Sequence, residues 1–459
     1  MKQRILWSLV LTLILLSGTA CPTPPPAPPS GPFHDPWTVM PSSELAPLRG
    51  SKIMRGIIHA HSPYSHDACD GKPEINGLRN EQCLDDLRSG LCATAQDFAF
   101  LTDHADLFAD HEYPDVLLWR EGDTLIERGG LPVANRARCD DESSFIVAAG
   151  TETGMMPIGL EHHVGASPAA RHQAYSEVSA QAVQNLRDAG ALVFLQHTEG
   201  WTLQQIQDLG VDGLEMYNLH QNMMDRMGDV VQMVLTYVVD PEAVPIPELA
   251  LLAVFEESAA DLRLWAQTSA TRQVPTILAT DVHRNVFNDE TYDGDRLDSY
   301  RRMSHWFSNY VLVPDDVEVD DLVLKQAIGQ GRLYGALDIL GYPVGFDFHA
   351  TAGSTVVEMG GEIATANNVT LHLRAPSVYR LDPTGPQPLR RTLLLRAEGD
   401  GWVEVASGDG DLDAVVGPGV YRAEVRLTAH HLTEWLGALA EDFVGERIWV
   451  YSNTLRVTP

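Results

Sequence analysis

Basic residues are scarce in this chain: 459 residues carry 32 Lys and Arg against 63 Asp and Glu, a formal net charge of -31. Nucleic-acid backbones are gripped by clustered Lys and Arg, so this imbalance excludes a nucleic-acid-binding surface. It bears on solubility and partners, not on fold. Long apolar runs are also scarce. The run from Ile5 to Leu16 is shorter than the roughly 20 residues that cross a bilayer, and no second stretch is long enough. There are five cysteines and no CxxC spacing, which weighs against a thiolate zinc site. No internal repeat is evident.

What the N-terminus does contain is Lys2 and Arg4, that apolar run, and then Ser17-Gly18-Thr19-Ala20-Cys21. This is the layout of an export signal over residues 1–20. The small residues before Cys21 resemble a bacterial lipoprotein cleavage site, where the cysteine would become lipid-modified. The Pro-rich stretch that follows reads as an extended tether over residues 21–50, with structure expected to begin near Trp37. The expectation is an exported, periplasmic or cell-surface protein that meets a membrane only through its lipid. In such a compartment Cys69, Cys83, Cys92 and Cys139 are expected to form two disulfides, in a pairing that spacing does not reveal.

From Lys52 to about Leu337 short apolar runs alternate with helical stretches. Strands are expected at Ile53 to Ile58, Phe98 to Leu101, Phe145 to Ala149, Ala191 to Leu195, Gly213 to Met216, Thr276 to Ala279 and Tyr310 to Val313. Helices are expected at Tyr175 to Ala189, Thr202 to Leu209, Ile246 to Ser269, Arg296 to Ser308 and Val319 to Gln330. Such alternation implies parallel βαβ units, closed as a barrel or, alternatively, open as a doubly wound sheet. From residue 345 to 459 the chain turns to β-rich runs such as Val369 to Leu373, Thr392 to Arg396, Val420 to Leu427 and Ile448 to Tyr451, which read as a small all-β sandwich domain.

Chemistry concentrates in His59 to Asp67, HAHSPYSHD, directly after the first expected strand. In an extended chain residues two apart share a side, so His59 and His61 can aim two imidazoles at one ion. With 17 histidines among 459 residues, chance alone supplies roughly 0.6 such pairs, so the pair counts only in context. The context is placement. Asp103 and His104, Glu152, His197, Glu215 and Asn218, and Asp281 and His283 each follow or end an expected strand. Barrel active sites lie at those carboxyl ends. Singly, each residue has an ordinary structural reading; jointly they point to a multinuclear metal site.

The series HAHSPYSH, LTDHAD, GTE, HHVGA, FLQH and TDVHR, in this order, resembles the PHP (polymerase and histidinol phosphatase) superfamily, and GLEMYN, GRLYGALDILGYPVGF and VYSNTLRV resemble its exported hydrolases. The resemblance covers most of residues 52–345 and implies a distorted (β/α)7 TIM-like barrel, residues 51–344, holding two or three divalent ions. By position, His59, His61, Glu152 and Asp281 would hold the first ion, and Glu152, His163 and His197 the second. His66, His104 and His283 would hold the third, with Asp67 the alternative to His66 and His162 the alternative to His163. Imidazole with carboxylate suits zinc, manganese or iron(II). Asp103 either orients His104 or closes a turn, and Arg284 either holds an anionic substrate oxygen or forms a surface salt bridge. His220 is the remaining histidine with a possible site role.

The resemblance implies a metal-dependent phosphoesterase in which a hydroxide bridging the ions attacks a small anionic ester. Hydrolysis of a carboxylic or carbamate ester on the same ions is one alternative. A non-catalytic tethered binding protein is another.

Overall fold

The computed structural model describes residues 38–231, 246–291, 294–364 and 368–459. The leader, most of the Pro-rich stretch and the side chain of His220 lie outside the described residues. The fold is mixed α/β, a closed seven-stranded barrel with further strands and sheets around it.

The barrel strands are β1 (Ser51–Ala60), β2 (Phe98–Phe100), β3 (Ser144–Gly150), β4 (Met156–Leu160), β5 (Leu192–Leu195), β6 (Gly213–Asn218) and β7 (Thr276–Val282). β1 pairs in parallel with β2, and β2 with β3. β5, β6 and β7 are also parallel, and β7 closes the ring on β1 through Ile58↔Ala279. Between the two runs β4 is antiparallel to both β3 and β5. The barrel is therefore mixed rather than a regular (β/α)7 ring.

This corrects the expected strand list. Tyr310 to Val313 lies in β8 (Ser308–Pro314), which is no stave of the barrel: it pairs antiparallel with the first half of β1, Ser51↔Pro314 to Gly56↔Asn309. The stave that takes its place in the count is β4, five residues with a left-handed Gly159 inside them, too short to stand out from the GTETG turn before it. Gly150 permits the β3–β4 crossing, because a Cβ there would lie 2.4 Å from Pro157 O and 2.5 Å from Leu101 O.

Helices cover the outside, and several begin where short polar side chains can cap them. Ser179, Ser258 and Asp320 accept from backbone N–H groups in the first turn of Ala180–Asp188, Ala259–Thr271 and Asp321–Gly329. Two expected helices are broken by such caps. Tyr175 to Ala189 divides into Pro168–Ser176 and Ala180–Asp188, and Ile246 to Ser269 into a 3-10 segment Pro247–Val254 and Ala259–Thr271. Leu324 and Ile328 of Asp321–Gly329 share one buried cluster with Phe98, Phe100 and Ile146 of the barrel.

The sheet does not stop at the barrel. β8 pairs with β9 (Leu333–Ala336), β9 with Glu446–Ser452, that strand with Gly419–Thr428, and Gly419–Thr428 with Leu389–Glu398. A separate four-stranded sheet is built from Thr355–Glu358, Asp347–Ala352, Val369–Arg374 and Leu412–Val416. Residues just before β1 dock on this region: Arg49 forks onto Asp347, at 2.6 and 2.8 Å, and onto Glu358. Disulfides join Cys69 to Cys83 and Cys92 to Cys139.

Candidate metal centre

Every parallel strand but β6 hands its last residues, or those just after it, to one end of the barrel: His59 and His61 from β1, His104 after β2, Glu152 after β3, His197 after β5, Asp281 and His283 from β7. Three of them bend inward on left-handed backbone, His59 at φ 70°, His197 at φ 48° and Asp281 at φ 52°. Bulky residues persist there only where the surroundings over-determine them. Here they do: Thr280 Oγ1 donates to His59 O at 2.9 Å, and His61 N–H donates to Val282 O at 2.9 Å.

Two groups of ligand atoms result, His59, His61, Glu152 and Asp281, and His61, Asp67, His104 and His283. In the first, His59 Nε2 lies 3.2 Å from Glu152 Oε2 and 3.1 Å from Asp281 Oδ1, and His61 Nε2 lies 3.3 and 3.2 Å from the same two oxygens. Ligands about 2.1 Å from a tetrahedral ion are separated by about 3.4 Å, close to these spacings. In the second, Asp67 Oδ2 lies 3.2 Å from His104 Nε2 and 3.1 Å from His283 Nε2. The groups abut where the His61 and His283 rings stack at 3.9 Å. His197 Nε2 lies 2.9 Å from Glu152 Oε1, so Glu152 turns one oxygen to each side.

The residues fit divalent ions on two further counts. His104 and His283 donate Nδ1–H to the carbonyls of Glu152 and Asp281, both at 2.7 Å, which leaves the Nε2 lone pair for the ligand position. Among the described residues, buried His61 Nε2 finds no well-directed hydrogen-bond partner despite two carboxylate oxygens within 3.3 Å. Close in distance but off in direction is what ligands aimed at a common point produce. Charge agrees. Burial alone would lower His61, but Asp281 and Glu152 push it up to about 10, and Glu152 with Asp281 likewise raises His197 to about 9 against burial. Burial would raise Glu152, yet His59 and His197 hold it well below the usual carboxylate range. The carboxylates draw positive charge to this spot, and a divalent ion bound there would supply it while the imidazoles stay neutral.

A second layer holds these groups. The Glu215 carboxylate pairs with His59 Nδ1, accepts from His197 N–H at 3.0 Å, and takes a 3.2 Å bond from Asn218, whose amide also reaches Asp281 Oδ2 at 3.3 Å. Asp103, pushed up to about 6 by burial, does not orient His104; it accepts from Ser62 N–H and Oγ at 2.5 and 2.8 Å and closes the loop that carries His61.

Three expected site residues stand elsewhere. His66 is 55% exposed with Nδ1 2.9 Å from Asp106, and Asp67 takes the place proposed for it. Ser65 explains the exchange, since its Oγ donates to Asp67 Oδ1 at 2.8 Å and turns that carboxylate inward. His163 is bound at 2.9 Å to Tyr175 Oη and at 2.8 Å to His111 O, and its exposed neighbour His162 bonds His163 O, so neither joins the cluster. The His163 ring packs instead against Phe108, Tyr113 and Tyr175. Arg284 is paired with Asp86 at 2.9 Å. The role of Glu215 in tying two ligands together was not apparent in sequence, although its place on β6 put it at the right end.

No family model matches the chain, and no curated protein matches it. Among solved structures, a two-domain protein from Bacteroides vulgatus containing a predicted PHP-like metal-dependent phosphoesterase is similar over 90% of this chain and 98% of its own, at 11% identity and a TM-score of 0.31. At that score the functional argument rests on the residues themselves.

Proposed function

We propose that this chain is an exported, metal-dependent hydrolase of PHP type that cleaves phosphate esters, with His59, His61, Glu152, Asp281, Asp67, His104, His283 and His197 holding two or three zinc, manganese or iron ions. The observation that carries the reading is the pair of abutting ligand groups, with Nε2 lone pairs and carboxylate oxygens converging. Bound divalent ions would supply Lewis acidity, making water nucleophilic near neutral pH and offsetting charge on the ester oxygens. The chain's own contribution is placement. His59, His61 and Asp281 form a buried floor, whereas Asp67, His104 and His197 have side chains 27–36% exposed and form the face a substrate reaches. The two disulfides support an oxidising compartment. Lipid attachment at Cys21 is part of the proposal, motivated by the sequence alone.

A second reading, hydrolysis of a carboxylic or carbamate ester, is favoured by the state of Arg284. Already paired with Asp86, it is not offered to a second phosphate oxygen. Parallel assays of metal-loaded protein on phosphate and carboxylate esters, against a His59→Ala, His61→Ala control, separate the readings. Phosphate turnover only in wild type supports the first, carboxylate turnover only in wild type the second. Equal rates in wild type and control overturn both.

A further inference from the structure

Asp67 is the single carboxylate of the second ligand group, and it opens a turn whose next two residues, Ala68 and Cys69, are buried. Beyond Cys69 the chain runs through Gly71, Lys72 and the hairpin Glu74–Ile75/Leu78–Arg79, nearly all of it exposed. Cys69 and Asp70 both adopt left-handed backbone, φ 60° and 59°, a conformation that two consecutive non-glycine residues keep only when their surroundings hold it.

What holds it is specific. Cys69 N–H donates to His283 O at 3.1 Å and Asp70 N–H to Arg284 O at 3.0 Å, so the turn is zipped to the backbone that carries another ligand of the same group. Asn285 Nδ2 donates to Asp67 O at 2.8 Å, and Arg296 forks onto Asp70 at 2.7 and 2.9 Å. The covalent tie is the buried Cys69–Cys83 disulfide, which anchors the turn to the helix Glu81–Ala93. Cys83 Sγ lies 3.7 Å from Tyr300 Oη, which itself donates to His61 O at 2.9 Å. The second disulfide leaves the same helix at Cys92 and reaches Cys139, with no bond in common with Asp67.

We propose that the Cys69–Cys83 disulfide is a positioning device for one metal position: it fixes the strained turn that aims Asp67 between His104 and His283, so that occupancy of this position, and not of the first group, depends on it. The inference rests on the reading of the site as a metal centre. Groups that orient metal ligands typically change affinity about 10–100-fold when lost.

The test compares wild type, Cys69→Ala/Cys83→Ala and Cys92→Ala/Cys139→Ala, each titrated with zinc alone and analysed for bound ions per chain, with circular dichroism to verify the fold. The expected result is that the Cys69/Cys83 variant binds its last ion about 10–100-fold more weakly and retains the tightest one, while the Cys92/Cys139 variant matches wild type in both. Equal affinities in the two variants overturn the proposal. Should the Cys69/Cys83 variant fail to fold, the folded Cys92→Ala/Cys139→Ala variant, in which Cys69–Cys83 is the disulfide left, is titrated before and after reduction with a phosphine: weakening confined to the last ion on reduction supports the proposal, and an unchanged titration overturns it. Wild type that binds no zinc instead overturns the metal-centre reading beneath it.

Discussion

Strand β1 carries two buried charged clusters, and they solve the same problem in opposite ways. Toward its start, Arg55 is wholly buried beside Asp338, whose oxygens accept from Tyr310 Oη at 2.6 Å and Ser308 Oγ at 2.7 Å; the guanidinium bonds the carbonyls of Thr94 and Ala95 and lies 4.5 Å from the Tyr342 ring. That cluster holds its own cation and its own hydroxyl donors. Toward its end, His59 and His61 face Glu152 and Asp281 with no Lys or Arg in the group. Buried charge that is paired and hydrogen-bonded within the chain serves the fold, whereas buried charge that converges and waits for a cation marks chemistry.

The sharpest way to break the comparison is to empty one end and then the other. His59→Ala with His61→Ala should abolish ion binding and lower ester hydrolysis by on the order of 10³-fold or more, the loss of several kcal/mol of metal-derived stabilisation, while the metal-free protein keeps its fold. Turnover assays beside elemental analysis and circular dichroism read this out; a metal-free variant with wild-type turnover would reverse the assignment of the two ends. Asp338→Ala should do the opposite. Breaking a buried pair costs about 3–5 kcal/mol, measured by urea unfolding, with ion stoichiometry and turnover per folded molecule unchanged.

The ends should also differ in how acidity acts on them. With metal stripped by a chelator, His61 and His197 have folded pKa values of about 10 and about 9, raised over 6.5 by Asp281 and Glu152 against burial. Their contribution to stability is then fully present below pH 6.5 and is lost as pH rises through 9 to 10; with metal bound, the imidazoles are neutral throughout and this loss disappears. Asp338, raised by burial from 3.8 to about 6, acts with or without metal: its contribution is full below pH 3.8 and lost as pH rises through 6. Unfolding curves between pH 4 and 10 with and without chelator should show the alkaline loss only in the stripped protein. The smallest effect is expected at His66. Its pairing with Asp106 is largely exposed, so His66→Ala should change stability by less than about 1 kcal/mol and leave the ion count intact, by denaturation and elemental analysis.

Much of this site was legible because its logic is local. A strand presents residues two apart to one side, and a parallel strand ends at the same face as its neighbours, so His59, His61, His104, Glu152, His197, Asp281 and His283 could be collected from the order of motifs alone. The failures share one cause. β4 was overlooked, and with it the distant rings of Phe108, Tyr113 and Tyr175 that take up His163. His66 and Asp67 are adjacent in an irregular turn, and which of them faces the ligand cluster depends on the Ser65 hydroxyl and on bonds to residues 283–285, more than 200 positions away.

Taken alone, the chain's order of residues determined the β-rich and helical stretches, the scarcity of cations, the even set of cysteines and the identity of most ligand candidates, all properties of neighbours along the chain. Only the tertiary structure decided the strand that runs against its neighbours, the pairing of the cysteines, the choice of Asp67 over His66 and the commitment of Arg284 to Asp86. Each of those depends on which distant groups meet, because the direction of a side chain is set by the bonds and packing that surround it in space.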